Sequence, residues 1–324
     1  MPDPCLLTAT QLAAAYRARS LSPVDVVDAL LARIAARDPV LHSFVEVYAD
    51  DSRLAARDAD KAMRDGALVG PLHGIPIALK DLIEIEGRQV TAGSAVHLGR
   101  KATTTATLAR KLAAAGAIVL GKTHTVEFAF GGWGTNTHLG APWNPWDKTV
   151  HRAPGGSSSG SGVAVAARLT PLAIGTDTGG SVRIPASFNG LTGLKVTRGR
   201  ISNHGIVPLS VTLDSPGPMT RSVDDAAMLY NALQGPDPLD PLSRGILPDD
   251  PMPGLRGGVA GLRLGRLSEA QIGVMHPETA AAYEAALETM AGLGAVIVPV
   301  TLPRPLNDYA KMLAVLHAEA YAAH

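Results

Sequence analysis

Apolar residues recur along this chain with two interleaved periods, one helical and one extended, and the changes between them divide the sequence into elements. Ser22-Pro23 places a capping hydroxyl before a proline at the first helical position. Val27, Leu30, Leu31 and Ile34 follow at helical spacing, predicting an amphipathic helix that ends near Asp38-Pro39. A second helix is expected over residues 51–64 and stops at Gly66. The short apolar run Ile75-Pro76-Ile77-Ala78-Leu79 has strand length, with Lys80 at its end. Residues 105–115 read as a helix closed by Gly116, and 117–120 as another buried strand. Residues 130–156, rich in Gly, Asn, Pro and Trp, show no sustained period and are expected to form a long structured loop.

Beyond that loop, residues 163–168 read as helical, 172–175 as strand, and 181–188 as a helix opening after two glycines. Ser222 with Asp225 resembles a capping box, Asp standing for the usual Glu or Gln, ahead of Ala226, Leu229, Tyr230 and Leu233. Residues 235–258 are dense in Pro, Asp and Gly and form the best candidate linker. Strand, helix and strand are then expected over 262–267, 277–290 and 295–300. The alternation predicts an α/β fold, and no composition break in the 324 residues demands more than a single domain over 1–324.

Hydrophobic residues make up 46% of the chain but aromatics only 4%, so the core must be built from small and branched aliphatic side chains. Lys plus Arg equals Asp plus Glu at 29 each, with no single-sign run to track a phosphate backbone, which argues against a nucleic-acid partner. Cys5 stands alone, excluding an intrachain disulfide. No apolar run approaches the roughly 20 residues that span a bilayer, and the N-terminus lacks the basic-then-apolar order of a secretory signal. A cytoplasmic protein with no membrane association is expected.

The densest unusual segment is GGSSSGSG at 155–162, followed by GTDTGGSVRIPAS at 175–187. A flexible linker would not be flanked by a helix pattern and a second glycine pair. A phosphate loop would end in Gly-Lys-Ser/Thr, and no dinucleotide fingerprint is present. Two glycines before Ser181 instead let consecutive N–H groups converge beside its hydroxyl, as an oxyanion hole requires, with a helix opening at the same place. Serine is a weak nucleophile and needs a base. No G-x-S-x-G elbow surrounds Ser181, and none of the ten histidines is singled out by spacing, for base or for metal. Neither a metal nor an organic cofactor is expected.

The runs PIALKD (76–81), APGGSSSGSG (153–162) and GTDTGGSVRIPAS (175–187) resemble the amidase signature family. Supporting matches are GKTHTVEFAFGG from Gly121, NPWD from Asn144 and DSPGPMTRSVDDAA from Asp214, all in the family's order. The resemblance implies a central mixed, twisted sheet covered by helices on both faces. It implies a Ser–cis-Ser–Lys triad in which Ser181 matches the nucleophile, Ser157 the bridging residue in a cis peptide, and Lys80 the base. The N–H groups of Thr178, Gly179, Gly180 and Ser181 match the oxyanion hole, and Gly131, Gly132 and Trp133 match a region near the acyl site.

A lysine of ordinary pKa, about 10.4, serves as base only if its surroundings lower that value, and placing Lys80 after IPIAL fits this. By itself Lys80 reads more readily as a surface lysine at a strand end. Ser158, Ser159 and Ser161 compete with Ser157, the serine at 159 standing where many relatives have glycine. Asp177 and Arg183 read as loop support more readily than as a catalytic pair, while Trp133, Trp143 and Trp146 read either as pocket lining or as loop anchors.

The implied activity is hydrolysis of a small carboxamide through an acyl-enzyme. The alternatives are a glutamine-hydrolysing amidotransferase A-type subunit or a family member of little activity. Family members continue well beyond residue 324, so a C-terminally truncated domain is expected, acting as a homo-oligomer or with a companion C-terminal segment.

Overall fold

The computed structural model describes residues 3–67 and 70–324. The chain falls into two compact units, the first ending at Asp250 and the second spanning Pro251–Ala322. The division lies inside the Pro/Asp/Gly-rich stretch expected to be a linker, but the first part of that stretch is firmly packed. Asp237, Asp240 and Ser243 are buried; Asp237 accepts from Ser202 Oγ, and Asp240 from the N–H of Asn203.

The first unit runs α1 (Ala9–Arg17), α2 (Pro23–Leu41), β1 (Phe44–Val47), α3 (Ala49–Arg64), β2 (Pro76–Lys80), α4 (Thr107–Ala114), β3 (Ile118–Thr123), α5 (Ser159–Ala166), β4 (Leu172–Asp177), α6 (Arg183–Phe188), β5 (Thr192–Gly193), β6 (Ser215–Thr220) and α7 (Val223–Leu233). Its strands form one mixed sheet in the order β1-β3-β2-β4-β6-β5. β2 is parallel to both neighbours and the remaining pairs are antiparallel. Ile77, Ala78, Leu79, Leu172, Ala173 and Ile174 are completely buried in the middle of this sheet, the aliphatic core that the composition requires. The second unit contains β7 (Arg263–Leu267), α8 (Glu269–Ile272), α9 (Pro277–Gly292), β8 (Val296–Val300) and α10 (Leu313–Ala323). β7 and β8 pair in parallel with each other, in a sheet of their own.

Several elements depart from their expected bounds for identifiable reasons. α2 continues through Pro39 to Leu41, because Pro39 falls in the last turn and His42, in the left-handed conformation, closes the helix with its N–H on Asp38 O. The Asp38 carboxylate then takes the N–H groups of Ser43 and Phe44, which directs the chain into β1. α5 begins at Ser159, inside the Ser/Gly run rather than at Val163. Gly and Ser are poor helix formers, but here they allow close approach: a Cβ on Gly160 would lie 2.3 Å from Ser43 O and 2.4 Å from His124 N. Ser161 Oγ donates to Ile174 O, tying the helix to β4.

The expected capping box at α7 is half formed. Ser222 Oγ accepts the N–H of Asp225, but the Asp225 carboxylate does not return to the Ser222 N–H. It accepts the first N–H groups of α1 instead, from Ala9 at 3.0 Å and Thr10 at 2.9 Å, and thereby fastens the two helices together. Thr8 and Gln11 complete that helix end with a reciprocal capping box. Asp225→Ala leaves both N–H groups without their acceptor, at an expected loss of about 2–4 kcal/mol in urea unfolding, whereas Ser222→Ala costs about 1 kcal/mol. Equal losses in the two variants would show that the α1–Asp225 link does not matter.

Candidate active site

β2 and β4 are parallel neighbours, so their carboxyl ends deliver Lys80 and Thr176-Asp177 to the same edge of the sheet, where sites in open α/β sheets form. Lys80 is fully buried, which removes the surface-lysine reading. Its Nζ donates to Ser157 Oγ at 2.7 Å and to Thr176 Oγ1 at 2.8 Å. Burial lowers the amine to about 7, against weaker opposing pulls from the more distant carboxylates of Asp214 and Asp177.

Lys122, on β3, supplies an internal comparison. It is equally inaccessible, and burial lowers its pKa too, but its Nζ rests against Asp81 Oδ1 at 3.4 Å and the carbonyl of Ile83. Of these two buried amines, Lys122 has a carboxylate in contact, whereas Lys80 has two hydroxyls.

All four competing serines are buried, and their contacts separate them. Ser158 Oγ accepts the N–H of Thr176 and faces Thr176 O; Ser161 Oγ bonds to Ile174 O and Thr123 Oγ1. Ser159 Oγ has no partner among the described residues. Ser157 alone of the four touches Lys80, and the Gly156–Ser157 peptide is cis. Ser181, 7% exposed, is tied to the same segment through its carbonyl, which accepts the Ser158 N–H at 3.2 Å. Among the described residues its Oγ makes no hydrogen bond, to Ser157 or to any other group.

The loop before Ser181 is shaped by Asp177, which accepts the N–H groups of Gly180 (2.8 Å) and Val182 (3.1 Å) and the guanidinium of Arg183 through Nε and Nη2. Asp177 and Arg183 therefore support the loop. Gly180, at φ +133°, allows the turn. Of the four N–H groups expected as oxyanion donors, that of Gly180 is already engaged by Asp177. Those of Thr178, Gly179 and Ser181 have no acceptor among the described residues. α6 starts at Arg183, two residues beyond Ser181, and has six residues, so its dipole adds less than a helix opening at Ser181 would.

Gly132 lies beside this loop: its carbonyl accepts the N–H of Gly156 at 2.7 Å, and Gly131 packs through its N–H on Ala129 O. Ile184 Cδ1 stands between the two segments, 2.7 Å from a Cβ built on Gly180 and 3.5 Å from one on Gly132. Trp133 is 68% exposed and its ring lies 6.5 Å from that of Phe188. The other two tryptophans are anchors. Trp143 stacks on His151 at 4.6 Å and donates to Asp147 O, while Trp146 donates to Asn189 O and lies against Gly190.

Two residues of the site escaped the sequence reading. Thr176 ends an apolar strand run, and a hydroxyl there was a readable signal. Asp214 accepts the Thr178 hydroxyl and the N–H groups of Leu209 and Ser210 across a gap of 36 residues from Thr178, which no local pattern reveals.

The profile of the family described as Amidase matches residues 25–324. The chain is 41% identical over 316 residues to the A-type subunit of the glutamyl-tRNA(Gln) amidotransferase of Chloroflexus aurantiacus, covering 98% of this chain and 64% of that protein. It thus spans less than two thirds of the length of such curated relatives. The native peptide amidase from Stenotrophomonas maltophilia superposes with a TM-score of 0.89 at 38% identity, over 98% of this chain and 66% of the other. A structure of a vestigial protein complex bearing on the origins of an s-triazine catabolic enzyme gives a TM-score of 0.91 at 36% identity, over 98% and 68%. A sheet with this strand order, the Lys80–Ser157 contact and the glycine loop before Ser181 accompany these matches, and the chain belongs to the amidase signature family.

Proposed function

We propose that this chain hydrolyses the C–N bond of a small carboxamide through an acyl-enzyme on Ser181. The observation that carries the reading is the buried Lys80 amine, 2.7 Å from Ser157 Oγ and without a carboxylate partner. In its neutral form the amine accepts the proton of Ser157 while Ser157 takes that of Ser181, and Ser181 Oγ adds to the carbonyl carbon. The oxygen that becomes negative is met by the N–H groups of Thr178, Gly179 and Ser181. As the C–N bond breaks, the proton returns through Ser157 to the leaving nitrogen. Water then repeats the relay against the ester, releasing the acid and restoring Ser181. Gly131, Gly132 and Trp133 border the acyl group, with Phe188 beside Trp133 favouring an apolar or aromatic substituent.

A second reading, glutamine hydrolysis as the A-type component of an amidotransferase, is favoured by the 41% identity to a protein of that name. It carries with it a companion chain. Turnover of simple carboxamides by the purified chain, with glutamine a poor substrate, supports the first reading; turnover of glutamine alone supports the second. For either, no helix among the described residues is long and apolar enough to cross a membrane.

Ser181→Ala is expected to abolish both amide turnover and covalent labelling by a fluorophosphonate, and undiminished labelling would move the nucleophile elsewhere. Because Lys80 must be neutral to accept a proton, kcat/KM should rise as pH climbs through about 7 and level off above it. Lys80→Arg, permanently charged, should lose activity at every pH, and a near-native Arg variant would remove Lys80 as base. Burial pushes the Asp177 carboxyl up, but Arg183 and the N–H groups of Val182 and Gly180 outweigh it and hold it below the usual carboxylate range. Asp177→Asn should therefore cost about 2–3 kcal/mol of stability and slow fluorophosphonate labelling at least tenfold. A variant that melts and labels like the parent would refute that support.

A further inference from the structure

The far end of α5 from Ser157 borders a groove of about 680 Å³ that the proposed reaction does not use. One wall is the stripe Arg33, Ala36, Arg37, Val40 and Leu41 of α2, residues spaced to share one helix face. The opposite wall is the loop segment with Trp143, Pro145, Asp147 and Lys148, and Ala166–Arg168 close the end. At about 1.5 Å per residue, the eight residues of α5 put some 12 Å between this end and the Ser157 segment.

The groove's lining mixes apolar side chains with four cations. Arg33 is positioned by Asp3 at 3.1 Å and by Ala167 O, but the side chains of Arg37, Lys148 and Arg168 make no hydrogen bond or salt bridge among the described residues. The one carboxylate in the lining, Asp147, is already committed: it accepts the N–H groups of Thr149 and Val150 and the Nε of Arg152. Three cations whose side chains have no partner among the described residues thus line one groove, in a chain whose charges balance overall. Like charges held together repel, and an anion placed among them relieves that repulsion. Arg168 has a further peculiarity, a φ of +61° just after the helix end, where glycine is the usual residue.

We propose that this groove binds a small amphiphilic anion, a phosphate or carboxylate on an aryl or alkyl body. The charged head meets Arg37, Lys148 and Arg168, and the body lies along Val40, Trp143 and Ala166. Volume and lining suit a small molecule: an apolar pocket of a few hundred Å³ with few convergent polar groups.

The test is calorimetric titration of the chain with phenyl phosphate, inorganic phosphate and benzyl alcohol, the last two carrying one half of the ligand chemistry each. Phenyl phosphate should bind with a Kd below about 1 mM, at least tenfold tighter than either. Arg37→Gln/Lys148→Gln should weaken it at least tenfold. Arg168→Gly should also weaken it, while thermal unfolding stays the same or rises, because glycine suits the left-handed backbone. Fluorophosphonate labelling of Ser181 in both variants should match the parent, keeping this result separate from the proposed reaction. Unchanged affinity in the variants, no binding of phenyl phosphate, or binding only of a polyglutamate peptide would each overturn the proposal.

Discussion

The amine of Lys80 is held out of water with no counter-ion against it, and much of the first unit is organised around that one desolvated group. A buried ammonium is costly unless it is paired or neutralised, and here the fold supplies two hydroxyl acceptors and no carboxylate in contact. Keeping water away requires β2 to be an interior strand with a neighbour on each side and α5 packed over it. The contrast with Lys122 shows how fine the distinction is. Burial acts on both amines in the same direction, but Lys122 has the Asp81 carboxylate in contact whereas Lys80 has two hydroxyls.

Close backbone approach is the second theme. A chain with 4% aromatic residues has few large side chains to span gaps, so elements meet through glycine and serine. α5 lies on the sheet because Gly160 and Gly162 present no side chain to its neighbours, and Ser161 reaches the carbonyl of Ile174 on β4 directly. The same economy shapes the loop at Ser181, where a single carboxylate, Asp177, holds one N–H of the glycine pair and leaves its neighbours free. The long loop over residues 130–156 is fixed differently, by the indole N–H groups of Trp143 and Trp146 on backbone carbonyls, while Trp133, exposed like Trp146, lies near the site.

Much was legible in one dimension. Capping serines, terminal glycines and apolar periods placed most helices and strands of both units within a few residues. The motifs at 76–81, 153–162 and 175–187 brought Lys80, Ser157 and Ser181 forward together. The departures have different causes, one set by packing against remote segments and one by where a proline falls in its own helix. Poor helix formers start α5 because packing demands small residues, and α2 runs past its proline because that proline occurs where the helix was about to end.

The sequence by itself determined the element types, the aliphatic core and the identity of the chemically able side chains, because each is written in local spacing and residue type. Only the tertiary structure decided which serine touches Lys80, that Asp225 closes α1 from more than 200 residues away, and that Gly180 spends its N–H on Asp177. Those outcomes depend on distances between segments remote in the chain. A hydrogen bond forms or fails over a few tenths of an ångström, a scale that spacing along a sequence does not encode.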